Sequence, residues 1–441
     1  MIMKKEIIIG VFLILLVLCV ISCSNSATAP NIEILTPSSL YVTQLDSCII
    51  HLEWIDNCSG EDGYDIERRE YDSEFSSLIT LAPNDTTYVD STASKDEIYY
   101  YRIRALGPSE NSEFSIEESN ALIVPDKYSS IQTAINNSYD GSIVLVKPGT
   151  YYENIDFQGK EITLSSLIII NNNQDFINST IIDGNNNSHV VKFENNEDLN
   201  SVLSGFTIRN GFAQGDFPSN CGGGILCERS SPLLKNLIIT ENIAEGEGGG
   251  ISCYQSAEPL IHNVSIINNT AGIGGGISCY NNSSPSLINV LIANNQTDQC
   301  AGGIYALNSS IILENVTVTQ NVSNLGAGFY GIYCGSITLL NSIMWNDSDY
   351  DIYFPVNGGS GNSVSMYYSC IQGGIPNVNA TVNWGEGNIT DDPLFIDPEN
   401  GDFHLQSNSP CIDSGDPAPI YLDYDGSRND IGAYGGKYGN W

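Results

Sequence analysis

Through the middle of the chain, apolar and polar positions recur with a period of 26 or 27 residues. Asn236, Asn263, Asn289, Asn315 and Asn341 mark it. Two positions before each stands Leu234, Ile261, Leu287, Leu313 or Leu339. One position after stands Leu237, Val264, Val290, Val316 or Ser342, and three after stands Ile239, Ile266, Ile292, Val318 or Met344. Side chains alternate along a strand, so these two apolar sets point to opposite sides of a straight one. They share one core only if the chain bends at the asparagine. The pattern predicts stacked coils with a bent strand in each, the asparagine column forming a hydrogen-bonded ladder at a buried corner. Six positions after the bend runs a second polar column, Asn242, Asn269, Asn295, Asn321 and Asp347.

Glycine triplets precede the next strand of each coil, as in "CGGGILC", "GEGGGISCY" and "GIGGGISCY". Behind them Ile225, Ile251, Ile277 and Ile304 form an inward column, followed by Cys227, Cys253, Cys279 and Ala306. The alanine shows that the last position needs a small buried apolar group, not a sulfur. No His or acidic column accompanies the cysteines as a metal site would require. The calcium-binding nonapeptide repeat places Asp where these copies place Cys. The cysteines read as architecture.

"VLSGFTIRNG", "STIIDGNNNSHVVKF" and "KEITLSS" supply earlier coils, so the solenoid is expected from about residue 140 to 365. Upstream, "SSIQTAINNSYDGSIVLVKPGTYYENIDF" predicts a short amphipathic helix burying Ile131, Ala134 and Ile135, then two strands. This stretch resembles the N-terminal cap of right-handed parallel β-helices such as pectinesterases, and the asparagine column resembles that of pectate-lyase-like helices. The pectinesterase active-site run is missing. The tail, with "DPLF", "SPCIDSGD", "DYDG", Arg428 and "DIGAY", resembles the closing segment of secreted bacterial β-helix proteins. A solenoid needs an end cap, and the tail is expected to hide the last coil.

Residues 32–124 alternate in short runs, "CIIHLEWID", "GYDIERREY" and "YYYRIRAL", which predict about seven strands in a sandwich. Trp54, Asp56, Glu61, Gly63, Tyr64, Ile66, Arg68, Tyr99, Ile103 and Ala105 carry a resemblance to fibronectin type III modules. That resemblance implies Trp54 in the core and Tyr99 as a tyrosine corner. Cys48 and Cys58 are open to pairing, with a core thiol at Cys48 as the alternative. The expected fold class is all-β: a fibronectin type III-like sandwich followed by a right-handed parallel β-helix. The divisions are a signal peptide over 1–22, a tether over 23–31, the sandwich over 32–124, the capped solenoid over 125–365 and a closing segment over 366–441.

The N-terminus changes the compartment. "MIMKK" is basic, "IIIGVFLILLVLCVIS" is apolar, and Cys23 follows, the layout of a secretory signal. Val20, Ile21, Ser22 and Cys23 resemble a bacterial lipobox. This implies cleavage before Cys23, lipid on it, and anchoring to a membrane, with an uncleaved anchor helix as the alternative. Ser24 follows rather than Asp, so the outer membrane or cell surface of a bacterium is expected. Export places the remaining cysteines where pairs form, and Cys370 with Cys411 is the expected disulfide.

Charge narrows the partners. Sixteen Lys and Arg stand against 52 Asp and Glu, a net charge of −36. Nucleic acid is excluded, because its phosphates would be repelled. Between Lys235 and Arg428 there is no Lys or Arg at all. Lyases of the fold that is resembled use a basic residue, often with calcium, so only Lys192, Arg209, Arg229 and Lys235 near the coils are left for that role. His262, in line with Lys235 and Glu314, reads as a surface histidine. Asp423 and Asp425 in "DYDG" resemble a calcium loop but lack its full ligand spacing, and an acidic turn stands as the alternative. Calcium is thus the one cofactor in view. Tyr254 and Tyr280, with Tyr305 and Tyr330 one column over and Glu228 at the start, form an outward face at about 4.8 Å per coil. Aromatic rings suit the apolar faces of sugars. The leading expectation is a surface protein that binds polysaccharide or mediates adhesion. A polysaccharide-cleaving lyase or hydrolase, and a structural spacer, are the alternatives.

Overall fold

The computed structural model describes residues 33–46, 48–95, 97–346, 351–356, 361–374, 378–439 and 441. The signal segment, Cys23, the tether and Asp347 lie outside the described residues.

The sandwich has seven strands among the described residues, in two antiparallel sheets. Ser38–Asp46, Ile49–Ile55 and Thr87–Asp90 form one antiparallel sheet. Ser76–Leu81, Gly63–Glu70, Tyr99–Leu106 and Glu118–Ser119 form the other. Trp54 and Tyr64 meet edge to face at 5.7 Å in its core. Tyr99 is buried, and its hydroxyl accepts the Ser94 amide five residues upstream at 3.2 Å, as expected for a tyrosine corner. Cys48 is exposed rather than in the core, and Cys58 carries a free thiol bonded to the Leu35 backbone, so the two are not joined. The sandwich stops short of residue 124, since Leu122–Val124 pairs in parallel with Ile143–Val146 and belongs to the next domain.

That domain is a solenoid of parallel sheets. In a typical coil, Leu260–Ile267 is followed by Thr270–Ile273 and Ile277–Tyr280, and each strand pairs with its counterpart one coil away. The bend falls where expected: Asn236, Asn263, Asn289, Asn315 and Asn341 have φ of 51 to 53°, the left-handed region that asparagine tolerates best after glycine. Both apolar sets therefore turn inward, and Leu234, Ile261, Leu287, Ile239, Ile266 and Ile292 are fully buried. In the triplets the first glycine supplies a positive φ (69° at Gly248), and a Cβ on Gly249 or Gly250 would lie 2.6 to 2.7 Å from carbonyl oxygens. Cys227, Cys253 and Cys279 stack in register in the core, with Ala306 and Gly331 continuing the column. The N-terminal mouth is closed by the helix Ile131–Asn136, capped by Ser130 and burying Ile131, Ala134 and Ile135.

Three expectations are corrected. The continuous ladder runs along the second asparagine column; along the bend, among the described residues, only Asn263 donates to its neighbour, Asn236, at 3.4 Å. The Nδ2 groups of Asn242, Asn269, Asn295 and Asn321 each donate at 3.0 Å to the Oδ1 of the next, ending on Asn346. The last coil is one residue shorter between bend and ladder, so Asn346 takes the place expected for Asp347. The solenoid also continues past 365: Thr381–Trp384 pairs with Ser363–Tyr367, and Ile389 bridges Cys370. The closing segment, finally, folds back along the side rather than over the last coil among the described residues. Asn289 donates to the carbonyls of Ala433 and Gly435, Asn315 to Asn429, Asp430 and Gly432, and Asn341 accepts the Asp416 amide. The bend asparagines are thus the docking row for the tail.

Candidate functional site

The strands after the glycine triplets form an eight-stranded sheet with two outward columns. Glu228, Tyr254, Tyr280, Leu307 and Ile332 stand in register in one. Leu226, Ser252, Ser278, Tyr305, Tyr330 and Tyr353 stand in the other. The expected residues do share one face. Their rings, however, cover each other. Tyr254 and Tyr280 lie 5.6 Å apart at 36°. Tyr305, Tyr330 and Tyr353 stack at 6.1 and 5.4 Å, each pair at 26°. Rings stacked along the axis present edges and hydroxyls to solvent rather than flat faces. Tyr305 is only 5 % exposed, so it supports the stack instead of offering a contact.

Phe217 completes this surface and has no periodic signature, because it sits on a loop outside the repeat. Its ring meets Tyr254 at 4.9 Å and Tyr280 at 5.6 Å edge to face, and the residue is 47 % exposed. It is the large open aromatic surface here. Tyr353 was hidden for another reason: a change in coil length takes it out of the spacing that Tyr305 and Tyr330 share.

Carboxylates frame the rings. Glu228 holds Arg229 at 2.8 Å. Glu247, half-buried at the end of the strand Ile243–Glu247 before the glycines, has its carboxyl pushed up to about 7 by burial. Its charge in turn helps raise the Tyr305 hydroxyl and the Cys300 thiol, although burial is the larger cause at both. Such a carboxyl holds a proton near neutrality. Cations in the region are committed: Lys192 to Asp156 and Glu194, Arg209 to Asp183. Lys235 makes no ion pair among the described residues. It lines a groove of about 440 Å³ between sandwich and solenoid with Lys95, Asp140 and Glu161.

The remaining candidates lie apart from this face. His262 neighbours Lys235 directly, but Ile288 separates it from Glu314. It is not a plain surface residue: Tyr438 of the tail packs on it at 5.0 Å. Burial, with help from Lys235, lowers it to about 4. In the acidic turn, Asp423 accepts the amides of Asp430 and Gly436, and Asp425 accepts the amide and hydroxyl of Ser427. These carboxylates organise the tail's own backbone. Cys370 and Cys411 are brought together in a buried cluster with Phe395 and Ile431, yet as two free thiols rather than the expected disulfide. Cys370 donates to the Asp391 carbonyl at 3.2 Å.

No family model matches the chain, and no curated protein does. Among solved structures, the chain is similar to a Fn3-like protein from Clostridium thermocellum at 19 % identity, covering 20 % of this chain and 90 % of that one, with a TM-score of 0.18. It is also similar to the FN1–FN3 domains of chicken CNTN1, at 13 % identity over 20 % of this chain and 32 % of that one, TM-score 0.19. The third fibronectin III domain of human KIAA0343 matches at 14 % identity over 22 % and 89 %, TM-score 0.19.

Proposed function

We propose that the chain is an exported lipoprotein, tethered through Cys23 at the cell surface, whose sandwich carries a solenoid that binds uncharged polysaccharide. The observation that supports this most is the outward sheet on which Glu228, Tyr254 and Tyr280 align under Phe217. Tyrosine hydroxyls and carboxylates pair with sugar hydroxyls, and the open Phe217 ring suits a sugar's apolar face. A uronate polymer fits poorly, since Arg229, Lys192 and Arg209 are already paired. The test is a glycan array followed by affinity electrophoresis on the purified chain. Neutral glycans are expected to bind, with at least tenfold loss in Phe217→Ala and in Tyr254→Ala/Tyr280→Ala. Unchanged binding in both variants would sink this site.

Glu247 favours a second reading, a polysaccharide-cleaving enzyme in which this carboxyl is the general acid. Release of reducing sugar from a neutral polysaccharide, abolished by Glu247→Gln, is the expected sign. No release from a broad panel removes that reading.

A further inference from the structure

Because the tail lies along the side, no strand or helix among the described residues covers the far end of the solenoid. Thr381–Trp384 is the terminal strand of the long sheet, paired with Ser363–Tyr367 on one edge; among the described residues no strand lies on its other edge. Val378, Ala380, Val382 and Trp384 are only partly buried against the core. The residues stacked above Val382 and Trp384, namely Val364, Ile337, Met366 and Leu339, are at 0 % exposure. Val356, one coil back, is 79 % exposed. The other end is closed by Leu122–Val124 and the helix Ile131–Asn136, with the sandwich packed beside it through Tyr71, Ile98 and Tyr100.

Charge distinguishes this end from the rest. From Ile352 to Gly385 there is no Asp, Glu, Lys, Arg or His, in a chain that is 15 % charged and carries −36 overall. Edge strands are ordinarily protected by charge, proline or a bulge. Thr381–Trp384 has no charge and no proline. Two copies of so acidic a protein repel wherever their carboxylates approach. This end, where Glu386 is the one carboxylate between Ile352 and Asn388, is where they approach with least repulsion.

We infer that the open end docks a second copy of this chain, its own Thr381–Trp384 laid antiparallel along the first in a two-fold contact. Antiparallel pairing of one strand with its twin is self-complementary and closes the assembly at two. Since the opposite ends are capped, growth stops there. Pairing through one four-residue strand is a small contact, and interfaces roughly below 1,200 Å² are the weak class, so a transient dimer is expected. The dimer itself does not rest on the surface reading. If that reading also holds, the two sandwiches lie at opposite ends of the pair, and the contact joins two cells.

Sedimentation equilibrium of the purified chain tests this, from about 1 to about 500 μM, the range in which a weak contact of this class populates. A monomer–dimer equilibrium is expected. Thr381→Lys/Asn383→Lys, at two exposed positions of the strand, is expected to weaken it at least tenfold, with the melting temperature lowered only slightly by loss of the exposed Asn383–Tyr367 hydrogen bond. As a second measurement, hydrogen exchange at the 381–384 amides is expected to slow at high concentration in the unmodified chain. A monomer throughout the range overturns the proposal, as does a dimer that the double variant forms equally well.

Discussion

Asparagine carries two different tasks in each coil, and the local geometry separates them. At the bend its backbone is what the turn demands, since φ near 52° is strained for most residues, and the side chains of Asn289, Asn315 and Asn341 then hold the tail. In the ladder it is chosen for its side chain, which satisfies a buried corner from coil to coil. Asn295 accepts both the backbone amide and the Nδ2 of Asn269, and donates to Asn321 and the Ile266 carbonyl. Asn295→Ala leaves buried donors without acceptors and should lower stability by roughly 2–4 kcal/mol, read from denaturant unfolding. Cys253→Ala should lower it by only about 1 kcal/mol, because the same column already holds Ala306. Glu247 tests burial at the candidate face. Its folded value, about 7, lies above the ordinary 4.5. The folded state is therefore favoured at low pH and loses stability as pH rises from about 4.5 to about 7. Glu247→Gln should be more stable than the unmodified chain at pH 8, with the difference shrinking towards pH 5. An equal difference at both pH values would contradict the assignment.

At the scale of elements, the strands and their inward columns were legible because period and alternation are local properties of the sequence. The bend was legible too, since two apolar sets on opposite sides of one strand leave no other solution. Which asparagine column forms the ladder was not. Both columns repeat with the same period, and only the second is enclosed on every side by neighbouring coils. The path of the tail was also hidden, because Asn289, Asn315 and Asn341 meet residues more than 70 positions away. At the candidate face, Tyr254, Tyr280 and Glu228 followed from register, whereas Phe217 entered from an irregular loop. The tail's attachment is testable by itself. Asn315 donates to Asn429, Asp430 and Gly432, and accepts from Asn429 in return. Asn315→Ala should speed hydrogen exchange at residues 429–436 by at least tenfold while the ladder amides at 269 and 295 stay protected. Equal protection in both segments would mean that the tail is held by its apolar cluster rather than by the bend row.

For the whole molecule, charge opposes compactness, and the structure relieves little of it. With 52 acidic and 16 basic residues, most carboxylates cannot find a cation. The cations present are grouped in the sandwich and the first coils, where Arg68, Arg102, Arg104, Lys192 and Arg209 are paired. Beyond Lys235 the coils carry carboxylates such as Glu241, Glu245 and Glu258 with no Lys or Arg in their sequence to pair with them. A pH titration of overall stability would not isolate this repulsion. Glu247 and Asp430, raised by burial to about 7 and about 6, favour the fold on acidification. His262, lowered by burial to about 4, opposes it between about 6.5 and 4. Salt separates the effects, because screening acts on exposed charges and hardly on buried ones: the Debye length falls from about 30 Å at 0.01 M to about 8 Å at 0.15 M. The melting temperature of the chain should therefore rise over that range. The dimer at the far end should tighten as well, since the contact itself is uncharged and only the approach of two acidic bodies opposes it. A dimer that loosens with salt would mean that ion pairs hold the two copies together, and would move the contact away from Thr381–Trp384.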